Sequence, residues 1–216
     1  MIHEFEEINN LFIELDKKLS HHVNLYIIGG AAMLYRGLKP ATKDIDVIVS
    51  TKTEFDELQN ILLSANFIAT IPGKEYERFS LNQIFVRDDF RIDLFQNNVC
   101  DKFSLSENMR KRAQTIIEHK YLRVHIISNE DLFLFKTITE REGDIDDCIQ
   151  LLQQKLSWDD ILEELKHQTK EHNVWITWVA ERLNLLQEKN LTIPIMKDID
   201  KLCDEYYNKL EKRLKK

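Results

Sequence analysis

Apolar positions along the first half of the chain alternate between the helical and the extended period. Residues 3–19 set Phe5, Ile8, Leu11, Phe12, Leu15 and Leu19 three and four apart among acids and lysines, which predicts an amphipathic helix. Residues 24–28 form a short apolar strand that breaks at Gly29-Gly30 into a helix from Gly30 to about Arg36, closed near Gly37. Lys39-Pro40-Ala41-Thr42 makes a turn, because proline disfavours helical backbone at the residue before it. A second strand spans about 45–49. Thr51 and Glu54 then form a capping box for a helix over 52–64, whose apolar stripe is Phe55, Leu58, Ile61 and Leu62.

Beyond residue 66 the apolar runs shorten. Strands are expected at 67–70, 77–81, 83–86 and 90–95, with Pro72-Gly73 and Asp88-Asp89 as turns between them. A brief helix is expected over 104–112, and strands over 114–118 and 122–127. Ser128 with Asp131 caps a helix to about Glu140, and Gly143 breaks it before a second helix over 144–155. Helices over 158–169, 171–187 and 196–215 complete the chain, with Leu191-Thr192-Ile193-Pro194 as an interruption. The pattern predicts an α/β (α+β) fold, a mixed sheet backed by helices and followed by a helical C-terminal portion. The change of character near residue 128 divides it into an N-terminal domain over 1–127 and a helical domain or extension over 128–216.

Composition narrows the function. A hydrophobic content of 43% over 216 residues can supply a real core, so disorder is excluded. The net charge of -7 argues against a protein that coats nucleic acid nonspecifically and favours a small acceptor or another protein. Cys100, Cys148 and Cys203 form no pair motif, and no secretory leader precedes the first helix, so a cytoplasmic location is expected. No run approaches the roughly eighteen apolar residues of a membrane span, so no membrane partner is expected.

The chemistry concentrates on three acids and two glycines. On a strand, Asp44 and Asp46 share one face while Ile45 and Val47 point into the core. Side by side, two carboxylates repel, so either a cation sits between them or one carries a proton. Asp93 stands between Ile92 and Leu94 in the same way, and the three acids converge if their strands are neighbours. Such oxygen ligands suit Mg2+ or Mn2+, and two ions about 4 Å apart would orient an attacking hydroxyl for in-line phosphoryl transfer. Gly29 and Gly30 leave room for close approach of phosphates to the backbone at the start of the helix. The later glycines of a Rossmann fingerprint and the Gly-Lys-Ser/Thr of a Walker loop are missing. His21-His22 lacks a third ligand and reads as a solvated turn. Trp158, Trp175 and Trp178 with Phe133 and Phe135 stand at helical spacing and read as core or an interhelix seam rather than a base-stacking platform.

A hydrophobic strand, Gly29-Gly30, Asp44-Ile45-Asp46 and a later strand carrying Asp93 together resemble the nucleotidyltransferase superfamily that shares the DNA polymerase beta catalytic fold. Within it the chain is most similar to small prokaryotic members, including the nucleotidyltransferase-like toxins of abortive-infection toxin–antitoxin systems. The resemblance covers residues 22–96 and continues through the stretch 136–147. It implies Mg2+-dependent transfer of a nucleoside monophosphate from a nucleoside triphosphate (NTP) to a hydroxyl or phosphate acceptor, with release of pyrophosphate. RNA, a small molecule or a protein would be the acceptor, and an antitoxin or other protein a possible partner. A noncatalytic nucleotide-binding or partner-binding relative, or the toxin of a toxin–antitoxin pair, is the alternative. Residue by residue, Gly29 and Gly30 match the phosphate-binding turn, Asp44 and Asp46 the metal pair, and Asp93 the third carboxylate. Lys136 would face the triphosphate, with Asp144 and Asp147 ordering Lys136 or Arg141. Against this, Lys136 reads equally as a surface lysine on a helix whose core face is Leu132, Phe133 and Phe135, and Arg141, Asp144 and Asp147 as a helix-end salt-bridge network. Lys43 either contacts phosphate or balances local charge. Tyr76, Arg78 and Arg91 lie outside the motif as candidates for acceptor contact.

Overall fold

The structure is a computed structural model that describes residues 1–73, 76, 79–100, 103–139, 141–170 and 174–215. Glu77 and Arg78, expected in a strand, and Glu140 and residues 171–173, expected in helices, lie outside the described residues. The chain divides into two compact units, Met1–Ser128 and Asn129–Lys216.

Among the described residues, the first unit is built on a mixed sheet of eight strands. Helix α1 (Phe5–Asp16) precedes β1 (Val23–Ile27), which leads through Ile28 into α2 (Gly29–Tyr35). Then come β2 (Ile45–Val49), α3 (Lys52–Ser64), β3 (Ile68–Thr70), β4 (Phe79–Arg87), β5 (Phe90–Cys100), β6 (Phe103–Ser104), α4 (Glu107–Arg112), β7 (Gln114–Glu118) and β8 (Leu122–Ile126). The strand order is β3-β4-β5-β2-β1-β8-β7, with β6 paired to β5. Two of the pairings are parallel, β1 with β8 and β2 with β5, and the central strands are buried on both faces as parallel strands require. The capping box at Thr51 forms as expected: Glu54 N–H donates to Thr51 Oγ1 at 3.1 Å while Glu54 Oε2 accepts from Thr51 N at 3.1 Å.

Where strands 77–81 and 83–86 were expected, a single strand β4 runs from Phe79 to Arg87. The polar interruption becomes a bulged register rather than a break, and Asn82 Oδ1 accepts the backbone N–H of Gln96 at 2.7 Å. Strand β5 continues to Cys100, well past the expected end at 95.

The second unit is helical: α5 (Asn129–Thr137), α6 (Glu142–Leu152), α7 (Trp158–Gln168), α8 (Val174–Glu188) and α9 (Met196–Leu214). Helix α6 starts earlier than its glycine suggests. Gly143 sits in the first turn behind the extended Arg141, where N–H groups lack intrahelical partners, so the break lies upstream of it. Phe133 on α5 and Trp158 on α7 meet edge-on at 5.8 Å, an interhelix contact, whereas Trp175 and Trp178, 6.0 Å apart, are neighbours on the single helix α8. Among the described residues no helix is long and apolar enough to cross a membrane.

Candidate functional site

Strand alternation and parallel register place the acids of the first unit. Asp46 on β2 stands opposite Asp93 on β5, and Ile45 and Val47 stand opposite Ile92 and Leu94. In a parallel pair directly opposed residues point to the same face, so Asp46 and Asp93 share a face while their aliphatic neighbours fill the core. Asp44 immediately precedes β2, and both Asp44 and Asp46 are half-buried.

The glycine turn closes on these acids. Gly29 has φ +62°, a left-handed backbone, and a Cβ there would stand 1.9 Å from Asp46 Oδ2. The carboxylate of Asp46 therefore lies against the bare backbone of Gly29. A Cβ on Gly30 would meet Thr42 Oγ1 at 2.4 Å. That hydroxyl donates to the Asp44 carbonyl at 3.0 Å, and Ile28 N–H donates to the Asp46 carbonyl at 3.0 Å. Thr42, buried and bridged to Ile2, is thus the post on which the turn and the acidic strand meet, a role that the sequence marks only as part of a turn. Lys43 is exposed beside it.

Asp93 is 3% exposed and carries a counter-ion. Arg91 Nε donates to Asp93 Oδ1 at 2.7 Å and Arg91 Nη2 to Oδ2 at 2.8 Å, a bidentate pair. The same Nη2 donates to Tyr76 Oη at 2.9 Å, and the guanidinium lies 5.4 Å from the Tyr76 ring centre. The bonds to Asp93 hold the guanidinium above its ordinary pKa. Arg91 and Asp93 are two apart on one strand and so share a face. That spacing was the available signal for the pair.

In the second unit, Lys136, Arg141 and Asp144 come together with Asp147. Lys136 is buried, contrary to its reading as a surface lysine. Helix α5 hides Asp131, Lys136 and Thr137 as well as its apolar residues, so its apolar face does not mark out a solvent face. The Lys136 ammonium donates to Asp144 Oδ1 and lies 2.7 Å from Asp147 Oδ2 as well. Burial alone would lower the Lys136 pKa, but the two carboxylates outweigh it and raise it. Burial likewise pushes Asp144 up, yet Lys136 and Arg141 hold it below the usual carboxylate range. Asp144 also accepts from Thr139 Oγ1 and, at 3.1 Å, from Arg141 Nε.

The fold defines a member of the nucleotidyltransferase-like (DNA polymerase beta) superfamily. Residues 3–189 match the family described as nucleotidyltransferase of unknown function (DUF6036), and the chain belongs to that family. No curated protein matches the sequence. Among solved structures, the chain is similar in fold to that of ANT(2")-Ia in complex with adenylyl-2"-tobramycin, with a TM-score of 0.52 and 13% identity over 78% of this chain and 98% of that one.

The superfamily implies divalent metal, and the donor set tests whether one fits. Asp46 and Asp93 stand in register, as a shared cation requires, but each Asp93 oxygen already accepts a bond from Arg91. Among the described residues no three of His, Cys, Asp and Glu form a group that could hold a metal ion. With Arg91 on both Asp93 oxygens, the acids in this arrangement do not fit a two-ion centre.

Proposed function

We propose that this family member binds a nucleoside triphosphate at the corner of Gly29, Gly30 and Asp46 and acts as a noncatalytic relative of the transferases. The observation that carries this reading is the bidentate pair between Arg91 and Asp93. A transferase needs its third carboxylate to ligate a cation or to draw the proton from an acceptor hydroxyl. Here that carboxylate is neutralised by a guanidinium, which weakens it as a base and as a ligand. Binding is supported by family membership, and the glycines leave room for the Asp46 carboxylate and the Thr42 hydroxyl to pack against the turn.

Calorimetric titration of the full chain with each NTP, with and without Mg2+, tests binding, and a pyrophosphate-release assay over a panel of RNA, protein and small-molecule acceptors tests transfer. The expected result is saturable binding, weakened by Gly29→Val, with no pyrophosphate released. Absence of binding by any triphosphate overturns the reading.

A second reading, metal-dependent transfer through Asp44, Asp46 and Asp93, is favoured by the in-register placement of Asp46 and Asp93 beside Gly29. Pyrophosphate release that disappears in both Asp46→Asn and Asp93→Asn would establish it and displace the first.

A further inference from the structure

We infer that the exposed face of α8 and α9 is a two-fold interface at which two copies of this chain pair, α9 lying antiparallel to α9 of the second copy. Helix α9 has 19 residues, a length of about 28 Å, and its apolar positions recur three and four apart. Its beginning is built into the second unit, where Met196 and Ile199 are buried. Its end is not: Tyr207 is 55% exposed, Leu210 39% and Leu214 79%, so the stripe continues into solvent for two further turns. Exposed apolar residues in a continuous helical row mark a surface that another helix covers.

A groove of about 520 Å³ runs beside this stripe. Trp178, Leu185, Cys203 and Tyr207 line it, and Glu181, Glu188 and Asp200 add negative charge to its lining. Charge along α9 identifies the occupant. Its first half carries Asp198, Asp200, Asp204 and Glu205 against Lys197 and Lys201, whereas its last turns carry Lys209, Lys212, Arg213 and Lys215 against Glu211. A parallel partner would set like charge on like. An antiparallel copy, with the two-fold axis near Tyr207, brings each basic end onto the acidic groove of the other and does so twice. Leu210 and Leu214 of the second copy then cover the apolar lining. One chain thus supplies both the key, on α9, and the matching slot, between α8 and α9, which is the condition for an isologous pair.

Sedimentation equilibrium of the full chain over a protein concentration series decides it. The expected result is reversible association to twice the chain mass of 25.7 kDa, weakening as salt is raised. Leu210→Asp with Leu214→Asp, both at exposed positions, should raise the dissociation constant at least about tenfold with an unchanged circular dichroism spectrum. Glu181→Lys with Glu188→Lys should also weaken pairing, and adding Lys212→Glu with Arg213→Glu should restore it. A wild-type chain that stays at monomer mass up to about 100 µM overturns the proposal and leaves the face to a different partner. So does a dimer indifferent to all of these substitutions.

Discussion

Replacing Lys136 by Met separates a structural ammonium from one held ready for phosphate. The side chain is 6% exposed and lies 2.7 Å from one oxygen each of Asp144 and Asp147, whose own side chains are 4% and 3% exposed. Methionine has nearly the same length and leaves two buried carboxylates without their central cation. Breaking a buried ion pair from one side destabilises by about 3–5 kcal/mol. For a chain of this size that lowers the melting temperature by roughly 6–20 °C, at about 2–4 °C per kcal/mol. The pH dependence adds a second signature. In the native protein Asp144 is held below the usual carboxylate range, so the stability it contributes is present above the unfolded pKa and fades as pH falls through the lowered folded value. Without Lys136, only Arg141 opposes the burial that lifts the Asp144 carboxylate, and acidification then relieves the variant by protonating it. The gap between wild type and Lys136→Met should therefore narrow from pH 7 to about pH 4. Replacing Asp144 and Asp147 by Leu together with Lys136→Met should recover most of the loss. Thermal unfolding followed by circular dichroism across that pH range measures all three. A drop under about 2 °C, or a gap that does not close on acidification, would refute the ion-pair reasoning and return Lys136 to the list of phosphate contacts.

Gly29→Ala should destabilise by about 1–3 kcal/mol from its left-handed backbone alone, and the added Cβ, 1.9 Å from Asp46 Oδ2, should displace that carboxylate and weaken nucleotide binding in the same titration. Unchanged binding and melting would contradict the close packing of turn and acid. Thr51→Ala removes one half of the capping box on α3 and should cost about 1 kcal/mol in urea unfolding, whereas Thr51→Ser should cost less. In dilute, unpaired chain, cysteine alkylation mapped by mass spectrometry should reach the partly exposed Cys203 before the buried Cys148, which should react only on unfolding. Burial pushes both thiols up, so even Cys203 should react slowly near neutral pH. Equal native-state labelling of the two would be inconsistent with the packing of α6.

The two-residue period of a strand made much of the acidic face legible. It set Asp93 opposite in direction to Ile92 and Leu94, and Asp46 to Ile45 and Val47, as found. What the period does not carry is which strands are neighbours. The parallel pairing of β2 with β5 spans an intervening helix and two strands, and such long-range pairing is fixed by the whole core rather than by local pattern. Of the two readings of Lys136, the surface one fails because α5 is buried around most of its circumference, and the ammonium meets Asp144 and Asp147, eight and eleven residues later on a different helix. Strand β4 was expected as two pieces that leave out Asn82, where a bulge and the Asn82 side chain carry the strand through.

Arg91 is the residue on which the two functional readings divide, because it holds both oxygens of Asp93. If a triphosphate draws the guanidinium away, Asp93 is left buried and charged beside Asp46, an arrangement that repulsion and desolvation both oppose. That vacancy must be filled by a proton or by a divalent ion. If Arg91 stays on Asp93, the phosphates meet only the glycine turn and the surrounding charge, and Mg2+ gains no new protein ligand at that position. Nucleotide affinity that is indifferent to Mg2+ in the wild type, and becomes Mg2+-dependent in Arg91→Ala, therefore belongs to a closed, noncatalytic face. Affinity that depends on Mg2+ from the outset belongs to a face that opens when substrate arrives.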